Sequence, residues 1–306
     1  MSTLILHHDD CLRHDPGPTH PERPARIGAA LAGLQGIDGL ERLPAPLATP
    51  EQVYGAHPPE YLEWLTVSEP DEGLAALDAD TAMSPGSLAA TLRASGAVCF
   101  AIDEVMAGKA RNAFCATRPP GHHAEASRAM GFCLLNQVAV GARYALARHG
   151  VGRVAILDFD VHHGNGTQAI FEDDLRVLYI SSHQVPLYPG TGMPNETGLG
   201  NIVNLPLPPG DDGEEFRRAW STRGLPTLER FAPDLVLFSA GFDGHARDPL
   251  AQLELGEADF GWLTHAVREW ARGGCEDRIV STLEGGYDLE AITASVHAHV
   301  AELARP

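Results

Sequence analysis

An α/β fold, with a mainly parallel central sheet and helices on both faces, follows from three features of this 306-residue chain. Short runs of β-branched and aromatic residues alternate with longer helix-like segments, the pattern of a sheet buried between two helix layers. Polar and glycine-rich motifs come directly after several of these runs, and open parallel sheets bind ligands beyond the carboxyl ends of their strands. No Ser/Gly-rich linker, charge block or internal repeat interrupts the chain, so residues 1–306 are expected to form one domain.

The first expected strand, Thr3 to Leu6, is followed by a helix-like segment, Arg26 to Gly33. A long helix, Ser87 to Met106, leads to the strand Ala113 to Ala116, and the helix Asn136 to Arg148 leads to Val154 to Leu157. Val177 to Ile180 is the next strand, and Gly213 to Arg230 is read as one helix before the strand Leu235 to Phe238. The helix Glu257 to Arg272 then precedes the last strand, Ile279 to Leu283. These runs read as buried strands, as expected of a parallel sheet covered on both faces.

Composition bounds the function. Apolar residues make up 44% of the chain, enough for a sizeable core, and no stretch of about eighteen apolar residues suggests a membrane span. The N-terminus, Met1-Ser-Thr-Leu-Ile-Leu-His-His-Asp9, lacks the basic start and cleavage site of a secretory signal, so a cytoplasmic location is expected. Five cysteines without a Cys-x-x-Cys read as reduced thiols. Lys plus Arg is 22 and Asp plus Glu is 41, a formal charge of −19 that disfavours binding nucleic-acid phosphates. Lys109 is the sole lysine, a compositional bias from which no function is read.

The motifs at the strand ends carry the chemistry. Asp158-Phe-Asp-Val-His-His-Gly-Asn-Gly-Thr-Gln168 follows a strand, and alternate residues share a face, so Asp160 and His162 converge on one point with Asp158 behind them. One carboxylate and one imidazole make two-thirds of an open catalytic zinc site, and Asp243, in Ser239-Ala-Gly-Phe-Asp-Gly-His245, is the best third ligand. Arg118-Pro-Pro-Gly-His-His123 puts two imidazoles after a rigid turn, and one of them could be a general base. Glu284-Gly-Gly-Tyr287 lets backbone approach a ligand closely while presenting a phenol that could polarise a carbonyl.

These segments, together with His20-Pro-Glu-Arg-Pro24, Arg26-Ile27, Gly131-Phe-Cys133 and Tyr188-Pro-Gly-Thr-Gly192, resemble the histone deacetylase family, which has the arginase-deacetylase fold. The likeness spans nearly the whole chain, and Asn165 resembles the class II branch, where class I enzymes carry aspartate. The resemblance implies a single-domain, three-layer hydrolase related to the bacterial zinc-dependent deacetylases and acetylpolyamine amidohydrolases.

On that resemblance, Zn²⁺ would be held by Asp160, His162 and Asp243, His123 would act as base, and Tyr287 would stabilise the developing oxyanion. It makes His122 an electrostatic partner oriented by Asp158 and sets Asn165 behind His123. Phe132 and Tyr188 would grip an aliphatic stem, the Gly131 carbonyl would accept from the scissile amide, and Asp80 is a candidate rim residue. The family's potassium ion would sit beside the Asp158 strand, near Asp160, His162, Ser181 and Ser182. Leu250 stands where some polyamine enzymes place a gatekeeping glutamate, which leans toward N-acyl-lysine over acetylated polyamines as substrate. A binding module without turnover is the rival from another class, and the intact Tyr287 with a complete ligand set argues against it. A two-metal ureohydrolase needs further aspartates, and Gly241 stands where a second carboxylate would be expected. An Asp/His/Asp set would also accept Fe²⁺ or Co²⁺.

Overall fold

The structure, a computed structural model, describes all 306 residues. Ten strands form: β1 (Thr3–His7), β2 (Leu40–Pro44), β3 (Ala75–Ala76), β4 (Ala82–Met83), β5 (Asn112–Cys115), β6 (Val154–Asp158), β7 (Val177–Gln184), β8 (Ile202–Leu207), β9 (Leu235–Ala240) and β10 (Ile279–Leu283). Eight of them make one sheet in the order β2-β1-β5-β10-β9-β6-β7-β8, and every neighbouring pair is parallel. β3 and β4 form a small antiparallel hairpin apart from it.

Helices cover both faces, as the alternation predicts. The helices are α1 (Ala25–Gly33), α2 (Pro50–Val53), α3 (Pro59–Ser68), α4 (Ser87–Met106), α5 (Gln137–Arg148), α6 (Asn165–Phe171), α7 (Gly213–Ala219), α8 (Leu225–Phe231), α9 (Glu257–Gly274) and α10 (Leu289–Ala304). Successive strand residues serve opposite cores: Ile5, Leu157 and Phe238 pack with Ile27, Phe260, Val267 and Val296 of α1, α9 and α10, whereas Leu4, Ile156 and Leu237 pack with Val98, Ile102 and Val138 of α4 and α5. Both strand faces are therefore apolar, which is why the runs show no alternation with polar residues. No helix is long and apolar enough to cross a membrane.

Several elements depart from the sequence reading. β7 runs four residues past Ile180, because Ser181–Gln184 is polar yet buried and hydrogen-bonded. The edge strands β2 and β8 carry charged, Asn and Pro residues that only an edge position tolerates. The expected helix Gly213–Arg230 is three pieces, since a π-helical turn at Trp220–Gly224 separates α7 from α8. Pro226 follows after one intervening residue; its ring removes an N–H from the ladder and crowds the preceding turn, which a widened turn accommodates.

Candidate active site and metal centre

β6 and β9 are neighbours in the sheet, and their carboxyl ends deliver the metal-ligand set. β6 ends at Asp158, so Asp160 and His162 sit in the bend that follows it and not on the strand as the period-two reading had them, and the loop after β9 brings Asp243 to meet them. Their ligand atoms lie within 4.8 Å of one another, and all three residues are buried. His162 Nδ1 stands 3.1 Å from Asp160 Oδ1 and 3.1 Å from Asp243 Oδ2. Backbone donors hold the carboxylates: Gly285 N–H donates to Asp160 Oδ2 at 2.8 Å and Val161 N–H to Asp243 Oδ1 at 2.8 Å. Gly241 and Gly285 are required here, because a Cβ on either would collide with these carboxylate oxygens.

The charge of this cluster asks for a cation. Burial alone would lower the His162 pKa, yet hydrogen bonds and attraction from Asp160 and Asp243 overcome it and push the imidazole up to about 10. Burial, reinforced by repulsion from Asp160, raises the Asp243 carboxyl instead. Two carboxylates and one imidazole, out of water, match a divalent ion: the donor set is that of an open catalytic site, with three protein ligands.

The two neighbouring histidines occupy opposite electrostatic environments. His122 Nδ1 lies 3.0 Å from Asp158 Oδ2, which also accepts from the Tyr179 hydroxyl at 2.8 Å. Burial opposes the charged form of His122, but Asp160 and Asp158 outweigh it and raise its pKa well above the usual value. His123 Nδ1 lies 2.9 Å from Asn165 Oδ1. Burial, then repulsion from His122 and His162, drives the His123 pKa well below the usual value. Such divergence marks an acid/base assignment.

A cavity of about 240 Å³ reaches this chemistry. Gly131, Phe132, Leu187, Tyr188, Leu250 and Asp80 line it together with His123, His162 and Tyr287. The Phe132 ring packs edge-on to Tyr287 at 5.9 Å, and Tyr188 edge-on to His123 at 5.1 Å. Gly131 and Phe132 both take positive φ, and a Cβ on Gly131 would run into the His123 ring. Asp80 Oδ1 accepts from the Gly131 N–H at 3.2 Å and Thr81 Oγ1 from the Phe132 N–H at 3.0 Å, so the β3–β4 hairpin holds this wall. The Gly131 carbonyl accepts from the Cys133 thiol at 3.2 Å. A wider groove, about 750 Å³, lies between α1 and α10, but the one cluster of convergent metal ligands is at the smaller cavity.

Of the residues named for potassium, Asp158 pairs in register with Ser181 across β6 and β7. The Ser181 hydroxyl is 2.8 Å from His183 Nδ1, and the Ser182 hydroxyl accepts from Trp220 Nε1 at 3.0 Å.

Several residues support the site in roles that the sequence reading did not assign. Glu22, fully buried, pairs with Arg26 at 2.9 Å and with both forks of Arg118. Burial would raise the Glu22 pKa, but Arg118, His14 and Arg26 hold it well below the usual range. Arg26 in turn donates to the carbonyls of Gly286 and Glu284 and lies 5.0 Å over the Tyr287 ring, bracing the tyrosine loop. Asp248, pushed up to about 7 by burial and by Asp243, accepts from the Tyr287 N–H at 2.7 Å. Glu284, also raised to about 7 by burial, receives the Gly121 and His122 N–H groups. The Glu-x-x-x-Arg spacing of Glu22 and Arg26 was a usable signal; Asp248 and Tyr179 offered none.

Comparison with known proteins places the chain in a family. The histone deacetylase domain model matches residues 20–303. A probable deacetylase of Archaeoglobus fulgidus is 40% identical over 95% of this chain and 82% of its own length. A histone deacetylase-like amidohydrolase of Pseudomonas aeruginosa is 39% identical over 93% of this chain and 81% of its own. An uncharacterized protein of Synechocystis sp. is 43% identical over 95% and 96% of the two chains. The crystal structure of the HDA15 HD domain superposes with a TM-score of 0.93 at 33% identity, covering 99% of this chain and 88% of that one. The likeness bears out the arginase-deacetylase fold and an amide-bond hydrolase, and the chain belongs to the histone deacetylase family.

Proposed function

We propose that this protein is a zinc-dependent, class II-like amide hydrolase that removes acetyl or other acyl groups from N-acyl-lysine side chains. The buried Asp160–His162–Asp243 set, opening onto a narrow cavity between Phe132 and Tyr188, carries this reading. Zn²⁺ on those three residues would supply a Lewis acid for the amide carbonyl and lower the pKa of the attacking water. His123, kept neutral with Nδ1 turned to Asn165, takes the water proton at Nε2. The Tyr287 hydroxyl donates to the carbonyl oxygen as negative charge develops there, an interaction strongest in the transition state. His122, held cationic by Asp158 and Asp160, adds a fixed positive group beside the reacting centre. His123 Nε2 then passes its proton to the leaving amine, while the second lone pair of the Gly131 carbonyl orients the amide N–H. A potassium ion near the Asp158, Asp160, His162, Ser181 and Ser182 junction belongs to the same reading.

Substrate choice is set at the cavity wall. A four-carbon stem buried between Phe132 and Tyr188 contributes roughly 3 kcal/mol, equally for lysine and for a polyamine arm. Discrimination therefore falls on a second positive charge. Leu250 offers it nothing, and Asp80 braces the wall by accepting from the Gly131 N–H and the Thr81 hydroxyl. Higher kcat/KM on acetyl-lysine peptides than on acetylspermidine is expected in a side-by-side turnover assay. A preference for acetylspermidine would reverse the ranking in favour of an acetylpolyamine amidohydrolase, and tight binding without turnover would favour a binding module.

Metal content provides the second check. Elemental analysis should find about one tightly held divalent ion per chain, as a three-ligand site implies. Asp160→Ala and Asp243→Ala should lose both ion and activity, whereas two ions per active chain would contradict the mononuclear reading.

A further inference from the structure

His122 is backed by a carboxylate, but His123 is backed by an amide, and an amide has two unlike ends. Asn165 turns Oδ1 to His123 Nδ1 at 2.9 Å. Its Nδ2 donates to Glu125 Oε1 at 3.1 Å and to Met130 Sδ at 3.3 Å. A carboxylate and a thioether accept hydrogen bonds and donate none. Turned over, the amide would aim its oxygen at these two acceptors and its NH₂ at His123. His123 Nδ1 would then have to accept, and the ring proton would move to Nε2, the nitrogen that faces the cavity side of the site. A protonated Nε2 on a neutral imidazole has no lone pair for a water proton.

We infer that Glu125 is a positioning residue: it fixes the orientation of the Asn165 amide and thereby holds His123 in the Nδ1–H tautomer. This rests on His123 being the base. The backbone keeps Glu125 in place for the task. Its N–H donates to the Arg128 carbonyl at 3.0 Å in a tight turn, and the preceding Ala124 carbonyl accepts from Asn136 Nδ2 at 3.2 Å. Gly166, the residue after Asn165, has no Cβ, and one there would strike the Ala124 carbonyl, so α6 packs directly onto this turn. Asp158 needs no comparable key, because either carboxylate oxygen accepts from His122. An aspartate at position 165 would be equally indifferent to its orientation.

The test exchanges the acceptor for a donor. In zinc-loaded enzyme with ¹⁵N-labelled histidine, the ring-nitrogen shifts should show His123 as Nδ1–H in the wild type and as Nε2–H in Glu125→Lys. Glu125→Lys should lose at least about a hundredfold in kcat, the scale of removing a general base, with KM and metal content little changed. Glu125→Gln still offers an acceptor and should keep the wild-type tautomer, with kcat within about tenfold. Adding Asn165→Asp to Glu125→Lys should restore the Nδ1–H tautomer and most of kcat. An Nδ1–H ring in Glu125→Lys, or a loss in Glu125→Gln as large as in Glu125→Lys, would overturn the inference. Turnover surviving His123→Ala would instead remove the base assignment beneath it, a separate result from the tautomer spectra.

Discussion

His122 and His123 are adjacent in the chain, yet the groups around them separate their chemistry. Asp158 and Asp160 stabilise a charge on His122, while burial and two neighbouring imidazoles keep His123 neutral at working pH. The neutral ring of the pair, the one suited to accept a proton, is therefore the second histidine, a distinction that adjacency alone could not make. Tyr287 is only 8% exposed, and its phenol is pushed well above its usual pKa by burial, so it stays protonated and can donate. His123→Ala and Tyr287→Phe should each lower kcat by at least about a hundredfold while metal content and thermal unfolding stay close to wild type. Near-normal turnover of an acetyl-lysine peptide by Tyr287→Phe would exclude the phenol as carbonyl donor.

At the scale of elements, the site is a product of strand order. β9 and β6 are separated by more than seventy residues in sequence but lie side by side, and β10, with 38 residues between it and β9, lies on the other side of β9, so three loops converge at the carboxyl end of the sheet. Period two made Asp160 and His162 legible as a pair, and the apolar run before Asp243 located the third ligand. What no local pattern showed is how the loops are packed against one another: Glu22 reaches Arg118 across the fold, and Tyr179 supports Asp158 from the neighbouring strand. Glycine is the residue that permits the closeness. Gly285 lies outside the left-handed region, so its backbone would tolerate alanine, and the nearest atoms that a Cβ would meet are the carboxylates of Asp243 and Asp160. Gly285→Ala should fold normally but weaken metal affinity by about 10–100-fold through displaced ligands. Titration against a metallochromic chelator would measure this, and unchanged affinity would show that the loop yields.

Over the whole molecule, apolar patterning made the sheet interior and its flanking helices readable, whereas the edge strands β2 and β8 and the broken helix at Pro226 were decided by tertiary context. Buried polar residues were the least readable class, and they also set the acid stability. His57 is buried, with Nδ1 3.0 Å from the Ala126 carbonyl and Nε2 accepting the Asn136 N–H at 2.9 Å. That pairing requires a neutral ring, and burial lowers its pKa to about 4. Unfolded, the same histidine titrates near 6.5, so between these values the unfolded chain binds more protons and stability falls as pH falls. The loss begins below about pH 6.5, proceeds at up to about 1.4 kcal/mol per pH unit, and ends near the folded value. Asp248 and Glu284, raised to about 7, take up protons on folding and work the opposite way in the same range. A comparison with His57→Gln cancels them, since glutamine can donate to Ala126 and accept from Asn136 without titrating. Urea unfolding at pH 7.5, 6 and 5 should therefore show the variant gaining on wild type by about 2 kcal/mol between pH 7.5 and 5. Parallel stability curves for the two proteins would mean that His57 titrates alike in the folded and unfolded chain.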